Sequence, residues 1–201
     1  MRNLVIGFGF AACVLSLSLG AERSHNVLFI AVDDLRPMLG CYGDKVARTP
    51  NIDRLASDGT IFRKAYCQQA VCSPSRLSLM TGRRPDTIRV WDLNTHFRKA
   101  LPHVVTLPQF FRKQGYHCRS IGKIFHGGGP PSKDEPSWSE APLHDNVRAA
   151  NLRYATPENL EGEGLKRASS EAADVPDKTY IDGVVCEAAL EALDCLKTRD
   201  Q

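Results

Sequence analysis

The chain has little of what would tie it to nucleic acid, zinc or the bilayer. Its 26 basic and 23 acidic residues leave a formal charge of only +3, and no stretch carries a run of Lys or Arg, so the electrostatic footprint of a nucleic-acid binder is missing. No Cys-x-x-Cys and no paired histidines occur, which removes the common zinc patterns. The longest uncharged apolar stretch, Leu4 to Leu19, is 16 residues, short of the roughly 20 needed to span a bilayer, and it is interrupted by Gly and Ser. No stable membrane span is expected. Internal repeats and low-complexity tracts are also lacking. The remaining composition, 42% hydrophobic and 24% charged over 201 residues, is that of an ordinary globular domain.

That first apolar stretch reads as export machinery. Arg2 is a short positive start, Leu4 to Leu19 an apolar centre, and Ser18-Leu19-Gly20 before Ala21 a small-x-small cleavage site. Residues 1–20 are therefore expected to be a signal peptide, and 21–201 an exported chain, periplasmic or secreted, or lysosome-like in a eukaryote. An acylated Cys13 is disfavoured by the very short apolar run before it. Cys13 leaves with the signal, and Cys41, Cys67, Cys72, Cys118, Cys186 and Cys195 remain. Six cysteines allow 15 pairings in an oxidising compartment. Cys186 and Cys195, nine apart on one helix, point to opposite faces and should not pair with each other. If one of the six does chemistry, at least one other stays a free thiol or pairs outside the chain.

Strands and helices alternate along the mature chain. Asn26 to Val32 is a nearly continuous apolar, β-rich run ending at Asp33-Asp34, the pattern of a strand buried on both faces. Thr49-Pro50 through Gly59 has an N-cap, a Pro at the first helical position and a terminal glycine, and predicts a short helix. Residues 60–66 predict a second strand, 73–80 a helix after a turn, 106–114 a capped helix closed by Gly115, and 116–121 a third strand. Residues 127–176, with Gly-Gly-Gly-Pro-Pro and few large apolar side chains, read as a long surface excursion. From Asp177 onward, Ile181, Val184, Val185, Ala188, Leu193 and Leu196 recur at helical spacing. The alternation predicts an α/β fold with a mainly parallel sheet.

The chemistry concentrates in Cys72-Ser73-Pro74-Ser75-Arg76. A strand-to-helix turn sets Cys72 just before a helix N-terminus, where free N–H groups favour an anion, and Arg76, one turn on, can offer a planar fork to a tetrahedral oxyanion. This pentapeptide, continued by Leu77-Ser78-Leu79-Met80-Thr81-Gly82-Arg83, resembles the signature of the type I sulfatases. Asp33-Asp34-Leu35-Arg36-Pro37, residues 40–45, Gln68 to Cys72, and Thr81 to Thr87 look like the N-terminal part of a branch directed at sulfated uronic-acid glycans. The likeness is strong over about residues 25–127 and returns at Pro176-Asp177-Lys178.

The resemblance implies an alkaline-phosphatase-like α/β sandwich, incompletely built by this chain, and sulfuric ester hydrolysis. Cys72 would be converted to formylglycine by a formylglycine-generating or other sulfatase-maturing enzyme. One hydroxyl of the aldehyde hydrate would attack sulfur, and the other would lose its proton to expel sulfate as the aldehyde re-forms. Asp33 and Asp34, with converted Cys72, would ligate Ca²⁺; Lys123 and His126 of Gly122-Lys123-Ile124-Phe125-His126 would hold the hydrate and a sulfate oxygen. The expected partner is a sulfated glycan.

The family's second metal pair, in an Asp-His-Gly-like segment, has no counterpart, because the sequence contains no Asp-His dipeptide. Half a site, without turnover of its own, is therefore expected. A noncatalytic sulfate- or glycan-binding remnant and a phosphatase or phosphonate-ester hydrolase of the same superfamily are the competing readings.

Overall fold

A computed structural model describes residues 25–127, 133–143, 153–162 and 168–198. The signal-peptide expectation for residues 1–20 lies outside them. Six α-helices are described: α1 (Pro50–Asp58), α2 (Cys72–Thr81), α3 (Pro85–Ile88), α4 (Leu107–Lys113), α5 (Pro157–Glu161) and α6 (Ile181–Lys197). No described helix is long and apolar enough to cross a membrane.

The helices begin and end where local chemistry requires. Pro50 opens α1 at a position whose N–H would have had no intrahelical partner. α4 carries a full capping box, in which the Thr106 hydroxyl accepts from Gln109 N and the Gln109 side chain accepts from Thr106 N. Gly82 ends α2 in the left-handed conformation at φ 65°. α6 follows a single 3₁₀ turn at Asp177–Thr179.

The core is small and gathers behind the first turn of α2. Leu77 and Met80 from α2, Ile88 from α3, and Val90, Phe97, Phe125 and Trp138 from the connections are buried together. The Phe125 ring stacks on Phe97 and meets the edge of Trp138, each at 5.8 Å between centroids. Trp138 comes from the stretch read as a surface excursion, and a buried ionic network holds it there. The Asp134 carboxylate accepts from Arg98 Nε at 2.5 Å and Nη2 at 2.9 Å, and its second oxygen also accepts from Ser137 Oγ, itself 2.5 Å from Thr106 Oγ1. Residues 133–143 are thus partly an internal brace.

The expected strands are not formed among the described residues. Residues 26–32 form no strand, and Val27, Leu28, Ile30 and Val32 are 55% to 69% exposed, the reverse of a strand buried on both faces. Residues 60–66 likewise form none, with Phe62 and Tyr66 exposed. Residues 116–121 come nearest: Ser139 N donates to Cys118 O at 2.9 Å and Leu143 N to Ser120 O at 3.0 Å. Both partners advance in the same direction, but one moves four residues while the other moves two, so no regular ladder propagates. A strand is stable only with a neighbour in register, and apolar β-rich sequence by itself does not supply one.

Candidate functional site

Three segments far apart in sequence converge at the first turn of α2. Val71 is extended at φ −138°, and the helix starts at Cys72 itself, one residue before the predicted boundary. Pro74 fits the first turn because it has no N–H to leave unsatisfied. Cys72 and Ser75 are half-buried, while Ser73, Pro74 and Arg76 are buried, so the turn is rooted in the core. All six cysteines of residues 25–198 are free thiols.

Asp33 and Asp34 occupy a turn directly after residues 26–32, with Asp34 left-handed at φ 52°, a conformation Asp tolerates. Ligand atoms of Asp33, Asp34 and Cys72 all lie within 4.8 Å of one another. Two carboxylates at this separation fit a hard divalent cation. The Cys72 thiol sulfur does not, whereas an oxygen in its place would. His126, half-buried three residues past Lys123, stands outside that cluster.

Arg76 and Lys123 both bind Asp33. Arg76 Nη2 donates to Asp33 Oδ1 at 2.7 Å, and Lys123 Nζ donates to Oδ2. Arg76 Nη1 donates to the carbonyls of Lys123 and of Ile124, the latter at 3.1 Å. The guanidinium is therefore a clamp between α2, the Asp33 turn and the 123–124 backbone, not the free fork expected for an oxyanion. Burial opposes the charge on Asp33, but the hydrogen bonds from Lys123 and Arg76, with their charges, outweigh it and hold the carboxyl below its usual range.

Gly122 fixes where Lys123 starts. It is left-handed at φ 71°, and a Cβ there would lie 3.1 Å from Val185 Cγ1 of α6. Helix α6 thus presses on the residue before Lys123, a contact without a local sequence signal except the glycine itself.

The four charges of Asp33, Asp34, Arg76 and Lys123 cancel, so the cluster becomes attractive to an anion only when a divalent cation joins it. That is the electrostatic arrangement of a metal-assisted anion site.

Comparison with known proteins gives the family of the chain. A family model described as Sulfatase matches residues 25–200. Iduronate 2-sulfatase of Mus musculus is 44% identical over 186 residues, covering 89% of this chain and 33% of that protein. The Homo sapiens iduronate 2-sulfatase is 40% identical over 205 residues, covering 96% and 37%. A sulfatase of Formosa agariphila is 41% identical over 112 residues, 52% of this chain and 22% of that protein. Among solved structures, phosphonate monoester hydrolase of Agrobacterium radiobacter superposes with a TM-score of 0.53 at 18% identity, covering 82% of this chain and 36% of that one, a likeness of fold. The chain spans about a third of the length of the iduronate 2-sulfatases it matches. With a sulfatase match across the described residues and a cysteine, paired aspartates, arginine and lysine drawn together at one turn, the chain belongs to the sulfatase family.

Proposed function

We propose that the whole protein hydrolyses sulfate esters of sulfated glycans, sulfated uronic-acid sugars in particular, through a formylglycine made from Cys72 by a sulfatase-maturing enzyme. The observation that carries the proposal is the convergence of Cys72, Asp33 and Asp34 within 4.8 Å, with Asp33 bound by Arg76 and Lys123. The iduronate 2-sulfatase relatives support the uronic-acid preference. The reading includes an alkaline-phosphatase-like sandwich with a parallel central sheet, and export to the periplasm, exterior or a lysosome-like compartment.

The converted side chain would supply, as its hydrate, one hydroxyl that attacks sulfur while the bond from sulfur to the sugar oxygen breaks and the sugar alcohol leaves, and a second hydroxyl whose deprotonation re-forms the aldehyde and releases sulfate. Asp33, Asp34 and converted Cys72 would hold Ca²⁺, which would supply positive charge to offset that of the bound sulfate. Lys123, held by Asp33, presents its ammonium beside the nucleophile and orients a sulfate oxygen. Arg76 keeps Asp33 and the Lys123 backbone in register with Cys72. His126 exchanges a proton with the hydrate or the leaving oxygen.

The test is a side-by-side assay of the whole protein, with Cys72 converted and Ca²⁺ added, on a 2-sulfated iduronide, an aryl sulfate, an aryl phosphate and a phosphonate monoester. Sulfate-ester cleavage above a Cys72→Ala control, exceeding that of the phosphorus esters, is expected. Preference for the phosphorus esters would reassign the reaction, and binding of the iduronide without cleavage would make the protein a noncatalytic glycan binder.

A further inference from the structure

Lys123, which carries the ammonium of the proposed site, directly follows Gly122. Glycine restrains its own backbone least of all residues, so a lysine placed after one would ordinarily have a loose base. This base is nonetheless held at three points. Downstream, Arg76 Nη1 donates to the carbonyls of Lys123 and Ile124, and the Phe125 ring is packed in the core against Phe97 and Trp138. Upstream, a Cβ at Gly122 would lie 3.1 Å from Cγ1 and 3.5 Å from Cγ2 of Val185, so the two methyls of one α6 side chain close the space beside the glycine.

Val185 is suited to be that wall. Its branched Cβ leaves one strongly preferred rotamer on a helix, so the methyls stay where the backbone of α6 puts them. That backbone is tethered at its start. Gly183 lies so close to the preceding 3₁₀ turn that a Cβ there would come 1.9 Å from Asp177 O, and the Tyr180 hydroxyl donates to Glu171 Oε1 at 2.8 Å. The wall meets Gly122 in its left-handed conformation at φ 71°, one of several that a glycine visits at little cost, and packing against one of them favours it over the others.

We infer that Val185 is a positioning residue for Lys123. By packing on Gly122 it holds the backbone before the lysine in one conformation, and so fixes the base from which the ammonium reaches Asp33 Oδ2 and, in turn, a sulfate oxygen. Val185 takes no part in the chemistry and acts through Lys123. The inference deepens the proposed function and rests on it for the anion that Lys123 meets.

The test is a double-mutant cycle on the whole protein with Cys72 converted and Ca²⁺ added, reading kcat/KM for an aryl sulfate beside a thermal melt. Val185→Ala should lower kcat/KM about three- to ten-fold, and Val185→Thr, which keeps the branched shape but not the apolarity, should retain most of it even where the melt falls. In a Lys123→Met background, Val185→Ala should have little further effect. No loss in Val185→Ala, an equal loss in both backgrounds, or equal losses in Val185→Thr and Val185→Ala would overturn the positioning role while leaving the parent protein's sulfate-ester cleavage as it stands. The same cycle is read on the affinity for inorganic sulfate, by calorimetry on Cys72→Ala protein. A Val185→Ala loss of sulfate affinity that requires Lys123, in a protein that cleaves no sulfate ester, would overturn the hydrolase reading and leave the positioning role standing.

Discussion

Asp33 holds two cations on one carboxylate, and the partition of its oxygens decides what Arg76 can do. Oδ1 takes Arg76 and Oδ2 takes Lys123, while the other terminal nitrogen of Arg76 is committed to two backbone carbonyls. A lysine at position 76 would keep the charge but lose the planar fork that joins these groups. Arg76→Lys is therefore expected to lower sulfate-ester turnover by roughly 10²-fold, with the protein still folded. Steady-state kinetics beside a thermal melt checks this, and unchanged turnover would show the clamp to be dispensable.

Glu171 is a second residue that gathers its surroundings. Its carboxylate accepts from Ala155 N at 2.5 Å, Thr156 Oγ1 at 2.9 Å, Asn159 Nδ2 at 2.6 Å and Tyr180 OH at 2.8 Å, joining α5 to the start of α6. Desolvation works against its charge, but these donors prevail and lower its pKa from 4.5 to about 2. The folded value lies below the unfolded one, so the stabilisation is complete above the unfolded pKa and fades as pH falls toward the folded value. Urea unfolding at about pH 6 and about pH 3 should show that wild type loses stability over this interval and that Glu171→Gln loses less of it.

At the scale of elements, the junction before α6 makes the sharpest prediction. Glycine inside a helix ordinarily destabilises by roughly 0.5–1 kcal/mol relative to alanine, so Gly183→Ala would ordinarily help. Here a Cβ at Gly183 would lie 1.9 Å from Asp177 O and 2.3 Å from its carbonyl carbon. The preceding 3₁₀ turn would have to move, and the expected outcome is a loss of about 1–3 kcal/mol, read from chemical denaturation. A stabilised variant would mean that the turn does not pack on α6 as described. Because α6 also presses Val185 on Gly122, the same substitution should shift Lys123.

The helices were legible because their signals are local. Pro50, the Thr106–Gln109 box and the apolar periodicity from Ile181 to Leu196 each act within a few residues. Strand formation depends on a partner elsewhere in the chain, which Asn26 to Val32 cannot specify by being apolar. The site shows the same division. Asp33, Asp34, Cys72, Arg76, Lys123 and His126 could be singled out through motifs resembling those of a family. That Arg76 would grip the carbonyls of Lys123 and Ile124, 47 and 48 residues away, left no local trace, nor did the burial of Trp138 in a polar stretch.

In the whole molecule a small core backs the cluster of Asp33, Asp34, Arg76 and Lys123, whose formal charges cancel. Asp33 and Asp34 offer at most four carboxylate oxygens, and both of those on Asp33 already accept from Arg76 and Lys123, against the six to eight ligands that Ca²⁺ takes. Calorimetry on residues 21–201 should therefore find Ca²⁺ affinity no tighter than the millimolar range, abolished by Asp34→Asn; micromolar binding would show that further donors complete the shell.

The central claim is that the first residue of α2 is the precursor of the nucleophile. It is tested most directly by mass spectrometry of the peptide containing Cys72, after coexpression with a competent sulfatase-maturing enzyme. The account predicts a residue in which the CH₂SH group has been replaced by an aldehyde and which reacts with a hydrazide probe. An unmodified Cys72 thiol under conditions that convert a control sulfatase would contradict it.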